Sequence, residues 1–145
     1  MEEKKPQLSD VEPERIPAFN RFLGMNRVRS GDGRAEIILD VREEFTNRRG
    51  VVHGGVITAL LDSALGAAVI SGIRPQEWCG TVQINVQFLR AGGGPRLTAT
   101  GRLQRRGLHV AFAEGTITDA EGRTVATAAG TWYVWPSRPG VPAQD

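Results

Sequence analysis

The sequence has little of what disulfide-linked, metal-binding or membrane-spanning proteins rely on. It holds a single cysteine, Cys79, so no internal disulfide can form and a reducing compartment is expected. A lone cysteine next to Trp78 is more often a small buried hydrophobe than a nucleophile. The two histidines, His53 and His109, together with that cysteine match no zinc spacing. Aromatics make up only 6% of the chain and are not interleaved with its scattered arginines, and the net charge is only +2, which is a weak signature for nucleic acid. The same arginines fit an anionic small molecule equally well. The longest apolar run, residues 56–70, is shorter than the roughly 20 residues a membrane span needs, and Asp62 interrupts it. Met1-Glu-Glu-Lys-Lys-Pro lacks the apolar core of a signal peptide. These absences suggest a soluble, cytoplasmic protein with no nucleic-acid or membrane partner, no bound metal and no cofactor.

What is present is enough for one domain. With 145 residues, 40% of them hydrophobic, the chain can bury a core. Residues 1–12 read as a loose charged tail and 136–145 as a proline-rich one. Residues 13–23 read as a short helix showing Ile16, Phe19, Phe22 and Leu23, with Pro17 inside it. Gly31-Asp-Gly33 marks a turn, 34–42 a strand, 43–53 a loop and 54–71 a helix. Residues 81–90 alternate, with Val82, Ile84, Val86 and Phe88 on one face and Thr81, Gln83, Asn85 and Gln87 on the other. That polar stripe suits either solvent or a second dimer. Strands 96–105 and 109–118 pair across Arg106-Gly107, and 123–135 follows the hairpin-type turn Asp119-Ala-Glu-Gly122. Strand, helix, then four hairpin-connected strands imply an α+β sheet with the helix on one face. The helix reads as apolar nearly all round (Val56, Ile57, Leu60, Leu61, Ala64, Leu65, Ala68, Val69), so a partner subunit is its natural cover.

Chemistry concentrates where the loop meets this helix. Gly54 and Gly55 follow His53 at the expected helix start, where the first amides lack internal acceptors and carry partial positive charge. Without a Cβ there, a carbonyl oxygen can approach closely. His-Gly-Gly alone equally fits a glycine-softened helix start with no ligand. Asp62 is a charge inside an apolar helix, which costs on the order of 2–5 kcal/mol unless paired or solvated. It could cap a neighbouring backbone, pair with a distant arginine, or serve chemistry. Thr58, Asp62 and Gly66 lie one turn apart and form a small or polar stripe suited to a cavity wall or a close helix contact. Gly54 and Asp62, eight residues apart, are separated by roughly 12 Å of helix rise. A base and an oxyanion donor must both come within about 3–3.5 Å of the reacting atoms. If both residues act on one substrate, they come from two subunits, with antiparallel helices side by side.

Asn47-x-x-Gly50-x-x-His53-Gly54-Gly55 followed by Asp62 resembles the hotdog-fold acyl-CoA thioesterases of the phenylacetate-pathway type. The likeness continues in Gly80-Thr81-Val-Gln-Ile-Asn85, Gly107-Leu-His-Val-Ala111-Phe112 and Gly122-Arg-Thr-Val-Ala126, and spans roughly residues 14–135. The resemblance implies a curved antiparallel sheet wrapped around one long central helix. It also implies hydrolysis of acyl-CoA to free acid and CoA, the CoA being part of the substrate. In that reading the Gly54 amide and the Asn47 side chain polarise the thioester carbonyl, and Asp62 of the facing subunit activates water or attacks directly. Thr81 orients Asp62 or the water, and His53 orients the loop or assists the leaving thiolate. Gly55, Arg48, Arg49, Arg106 and His109 would lie along the CoA, with Arg105 a further phosphate candidate. For any single arginine, a solvated face is the commoner role. His109 departs from the small polar residue relatives often carry, and a surface strand histidine is its default. The expected assembly is a homodimer with shared sites, extending to a homotetramer. Two other activities fit the same residues: a non-catalytic acyl-CoA sensor or carrier, and an enoyl-thioester hydratase or dehydratase using His53. The acyl group, and CoA against acyl-carrier protein, stay open.

Overall fold

The apolar stretch after His53 becomes one helix of 19 residues, and a six-stranded antiparallel sheet curls around it. A computed structural model describes residues 17–140 of the protein. The elements are α1 (Ala18–Leu23), β1 (Met25–Gly31), β2 (Arg34–Asp40), a 3-10 turn (Glu43–Phe45), α2 (Gly54–Gly72), β3 (Trp78–Phe88), β4 (Arg96–Arg106), β5 (Val110–Thr118) and β6 (Thr124–Trp135). The sheet order is β1-β2-β4-β5-β6-β3. This is the expected α+β hotdog arrangement.

Strand alternation builds the inner face. Ala35, Ile37 and Leu39 of β2, Leu97 and Ala99 of β4, Ala111, Ala113 and Ile117 of β5, and Ala126, Trp132 and Val134 of β6 are buried toward α2. Against them lie Ile57, Leu60, Leu61, Ala64, Leu65, Ala68 and Val69. Helix and sheet backbones come close at Gly101, where a Cβ would lie 2.5 Å from the Ala64 carbonyl oxygen. Only glycine lets the two backbones approach so nearly.

Several expectations change. The helix is not apolar all round: its own sheet buries one side, and the other carries the half-buried Thr58, Asp62, Ser63 and Gly66. It is long and apolar enough by composition to pass for a membrane span, yet its leucines are sealed inside the fold. The four last strands are not all hairpin-connected: β3 pairs with β6 and becomes a sheet edge, while the chain crosses to place β4 beside β2. The stretch before Gly31 is a strand, β1, that the sequence pattern hides. Among its described side chains only Met25 is buried, and the sequence Met25-Asn-Arg-Val-Arg-Ser30 shows no apolar alternation. It forms because Asp32 (φ 50°) and Gly33 (φ 75°) make a two-residue turn that matches strand twist. The first helix starts after Pro17 and buries only Leu23, leaving Phe19 and Phe22 exposed. Residues 1–16, with the proposed tail and Ile16, and residues 141–145 lie outside the described residues.

Two bulges reverse the face on which side chains emerge. Thr81 pairs with Trp132 and Gln83 with Thr131, so Val82 is an extra residue. Thr81 therefore shares the helix-facing side with Trp132 and is not in the stripe Gln83, Asn85, Gln87, which faces outward. Leu103 pairs with Ala113 and Arg105 with Phe112, so Gln104 is likewise extra, and Arg106 comes opposite the buried Ala111.

Candidate active site

Two separate cavities flank α2, and the singled-out residues divide between them. The first, about 220 Å³, is lined by Asp62, Ser63, Gly66 and Ala67 of α2, Asn20 of α1, residues 79–81 of β3 and Trp132 of β6. Thr81 Oγ1 donates to Asp62 Oδ1 at 2.7 Å. Asp62 is thus met by a hydroxyl, and its Oδ2 takes no hydrogen bond among the described residues. Of the stripe Thr58-Asp62-Gly66, the last two line this cavity. Thr58 does not, because its hydroxyl donates back to the Gly54 carbonyl at 2.9 Å.

The second cavity, about 380 Å³, holds Asn47, Arg49, Gly54, Phe88 and Arg90. A compact turn builds it. Asn47 Oδ1 accepts from the Arg49 amide at 2.9 Å and the Val51 amide at 3.4 Å, and Gly50 takes the left-handed φ of 73° that closes the turn. With Oδ1 so used, the Asn47 amide nitrogen is the end left to donate. His53 is the N-cap of α2: its Nδ1 accepts from the Gly55 amide at 2.8 Å. That bond puts the imidazole proton of neutral His53 on Nε2. It also uses the Gly55 amide, leaving the Gly54 N–H as the unpaired helix-start donor among the described residues. A Cβ at Gly54 would lie 3.4 Å from the Phe88 ring.

The two cavities share no lining residue. Within one chain, the Gly54 amide and the Asp62 carboxylate therefore face different spaces, as the roughly 12 Å of helix rise requires.

The other predicted residues stand apart. The Arg106 guanidinium grips Glu77 through two hydrogen bonds, 2.8 and 2.5 Å, and also donates to the Gly107 carbonyl. That grip holds the nearly buried Glu77 carboxyl below its ordinary range, and the bulge at Gln104 explains why Arg106 turns inward. Its guanidinium is committed to the fold and not presented to a phosphate. His109 is exposed in the β4–β5 turn with its ring stacked on Tyr133 at 6.3 Å, on the sheet face opposite Trp132. Arg48 and Arg105 are exposed, and Arg49 borders the Gly54 cavity. Among the described residues, no cluster of His, Cys, Asp and Glu is arranged to hold a metal. A third hollow, about 1150 Å³, lies along the outer face of the sheet and is lined by none of the predicted site residues. Sequence reasoning missed Phe88 and Trp132, brought to a cavity by strand pairing, and Arg90, which follows β3 and donates its amide to the Val125 carbonyl at 3.1 Å; none carries a local motif.

The helix start, the carboxylate and its hydroxyl partner fall within a stretch, residues 49–126, that matches the thioesterase superfamily model. The chain belongs to the thioesterase superfamily. It is 30% identical over 131 residues to the medium/long-chain acyl-CoA thioesterase YigI of Escherichia coli, covering 80% of this chain and 84% of that one. Its fold superposes on the E. coli PaaI protein of the phenylacetic acid degradation operon with a TM-score of 0.76 at 25% identity, over 83% and 85% of the two chains. It superposes on a thioesterase family protein from Silicibacter pomeroyi with a TM-score of 0.79 at 27% identity, over 83% and 90%. As a member of this superfamily the protein is a thioester hydrolase of the PaaI-like hotdog type.

Proposed function

We propose that the protein hydrolyses acyl-CoA at sites shared between two subunits. The Gly54 amide and Asn47 Nδ2 of one subunit donate to the thioester carbonyl oxygen, and Asp62 of the other acts at the carbonyl carbon. The observation that carries this reading is the separation of the half-sites: a carboxylate with one free oxygen in one cavity, a free helix-start amide in the other.

The free edge of β3 supplies the means of joining them. β3 is an 11-residue edge strand with Trp78, Val82 and Phe88 exposed. An unpaired edge of that length is a ready template for another strand. The Asp62 cavity reaches residues 79–81 of β3, and the Gly54 cavity reaches Phe88 and Leu89. Antiparallel pairing of two β3 strands about their midpoint brings the residue 79–81 end of each against the Phe88 end of the other, so that unlike cavities meet twice. The polar outer groove, which includes Asn85 and Gln87, is left for pairing of dimers into a tetramer.

The chemistry then balances simply. Asp62 Oδ2 accepts a proton from water as its oxygen adds to the carbonyl carbon, or attacks that carbon itself. Negative charge gathers on the carbonyl oxygen, held by the two N–H donors. The C–S bond breaks and CoA leaves as thiolate, which takes up a proton to become the thiol. Where water attacked, the free acid forms directly and Asp62 returns the proton it took. Where Asp62 attacked, water then hydrolyses the Asp62–acyl anhydride to free acid and restores the carboxylate. Thr81 holds Oδ1 so that Oδ2 points to the reaction. His53 fixes the loop as the helix cap. Its acceptor nitrogen is engaged by Gly55, which weighs against His53 as the base of a hydratase. Arg49 and Arg90 supply positive charge beside the Gly54 cavity for the CoA phosphates.

The test is thiol release from a panel of acyl-CoAs. Asp62→Ala is expected to lose at least about 100-fold in kcat, and full activity in that variant would sink the mechanism. Mixing Asp62→Ala with Asn47→Ala subunits is expected to restore partial activity through one intact site per mixed dimer. No recovery would argue against sites built from two chains.

A further inference from the structure

Trp132 is the largest fully buried side chain of the fold, only 2% exposed. Its indole nitrogen nevertheless makes no hydrogen bond to any described residue, and no described buried side-chain nitrogen or oxygen is both sealed off and unpaired. The small exposed part of Trp132 is therefore at its N–H. That N–H faces the Asp62 cavity, which both Trp132 and Gly66 line. A Cβ at Gly66 would sit 3.7 Å from Nε1, so the glycine keeps the donor uncovered. Glycine inside a helix costs about 1 kcal/mol relative to alanine, and nothing else within contact range of that position calls for it.

The geometry points to Trp132 Nε1 as a specificity donor for an acyl group that carries an acceptor oxygen. This inference rests on the thioesterase reading. Gly66 lies one helical turn, about 6 Å of rise, beyond Asp62. With the thioester carbon held at Asp62, an acyl chain running along α2 brings a hydroxyl or keto oxygen on its third to fifth carbon to the indole N–H. A plain hydrocarbon chain in the same place leaves a buried donor unmatched, which a site pays for in selectivity. Neither the distance from Gly54 to Asp62 nor the charge of the CoA enters this discrimination. It is made entirely by the acyl side of the site.

The experiment compares kcat/KM for hexanoyl-CoA with that for its 3-, 4- and 5-hydroxy derivatives. The wild-type enzyme is expected to favour at least one hydroxylated chain by about fivefold or more. Trp132→Phe keeps a ring and removes the donor, and is expected to bring that ratio to about one. Gly66→Ala keeps the indole and covers it with a methyl group, and is also expected to reduce the ratio; it serves where Trp132→Phe fails to fold. Parent and hydroxylated chains hydrolysed alike by wild type would overturn the inference and leave the thioesterase reading standing, as would an undiminished ratio in Gly66→Ala. No hydrolysis of any acyl-CoA would instead overturn the thioesterase reading.

Discussion

At the scale of single residues, the protein shows how one hydrogen bond can divide a carboxylate's labour. Thr81 occupies Oδ1 of Asp62 and leaves Oδ2 free. Thr81→Val is therefore expected to lower kcat by about ten- to a hundredfold, the worth of a hydrogen bond to a charged group, while KM stays near wild type. Thr81→Ser should recover most of the loss, and a valine variant with unchanged kcat would remove Thr81 from the mechanism. Arg106 supplies a second case, in stability and not catalysis. Its guanidinium holds the Glu77 carboxyl below the ordinary value of 4.5. A carboxyl lowered on folding contributes stability above its unfolded pKa, and that contribution fades as pH falls through the folded pKa. Arg106→Ala should thus lower Tm at pH 7, and the gap to wild type should narrow once pH drops below about 4.5. A gap that stays constant to pH 3 would show that the pair carries no such linkage.

At the scale of elements, Gly101 fixes how near α2 lies to the sheet. Gly101→Ala forces the Ala64 carbonyl aside and is expected to destabilise the fold by about 1–3 kcal/mol, read as a lower urea midpoint at unchanged slope. Elements also show what the sequence made legible. The central helix announced itself through a glycine-rich start and a long apolar run, β3 through alternation, β4 and β5 through the turn at Arg106-Gly107, and β6 through the Asp119–Gly122 turn. β1 stayed hidden because a polar and charged edge strand has no apolar period to detect. The pairing of β3 with β6 stayed hidden because strand order is set by long-range packing, and the turn at residues 92–95 reads the same for a hairpin as for a crossover. The candidate site was legible where it is local, in Asn47, His53, Gly54 and Asp62. It was not legible where strand pairing and the segment after β3 deliver it: Trp132, Phe88 and Arg90 carry no motif. Arg106 looked like a phosphate ligand because one extra residue in β4, invisible to alternation, turns it toward Glu77.

At the scale of the whole molecule, the shared-site proposal makes a single chain, with half-sites on both flanks of one helix, incomplete alone. Activity should then follow assembly. Specific activity is expected to fall on dilution along the same curve as the loss of dimer in sedimentation or light scattering, because mass action empties the shared sites. Full activity in a species sized as a monomer would contradict the shared-site reading.

The bulge at Val82 has a consequence for how this strand can change over evolution. Residues 83–88 answer to the packing of the sheet, residues 78–81 to the cavity beside Asp62, and the extra residue uncouples the two obligations. Deleting Val82 would carry residues 78–81 to the opposite face, turning the Thr81 hydroxyl away from Asp62 and Cys79 away from the core it packs against. The orientation of that hydroxyl is thus set by a count of residues and not by the identity of any one of them. Loss of one exposed residue, Val82, would take from Asp62 the hydroxyl that holds its Oδ1.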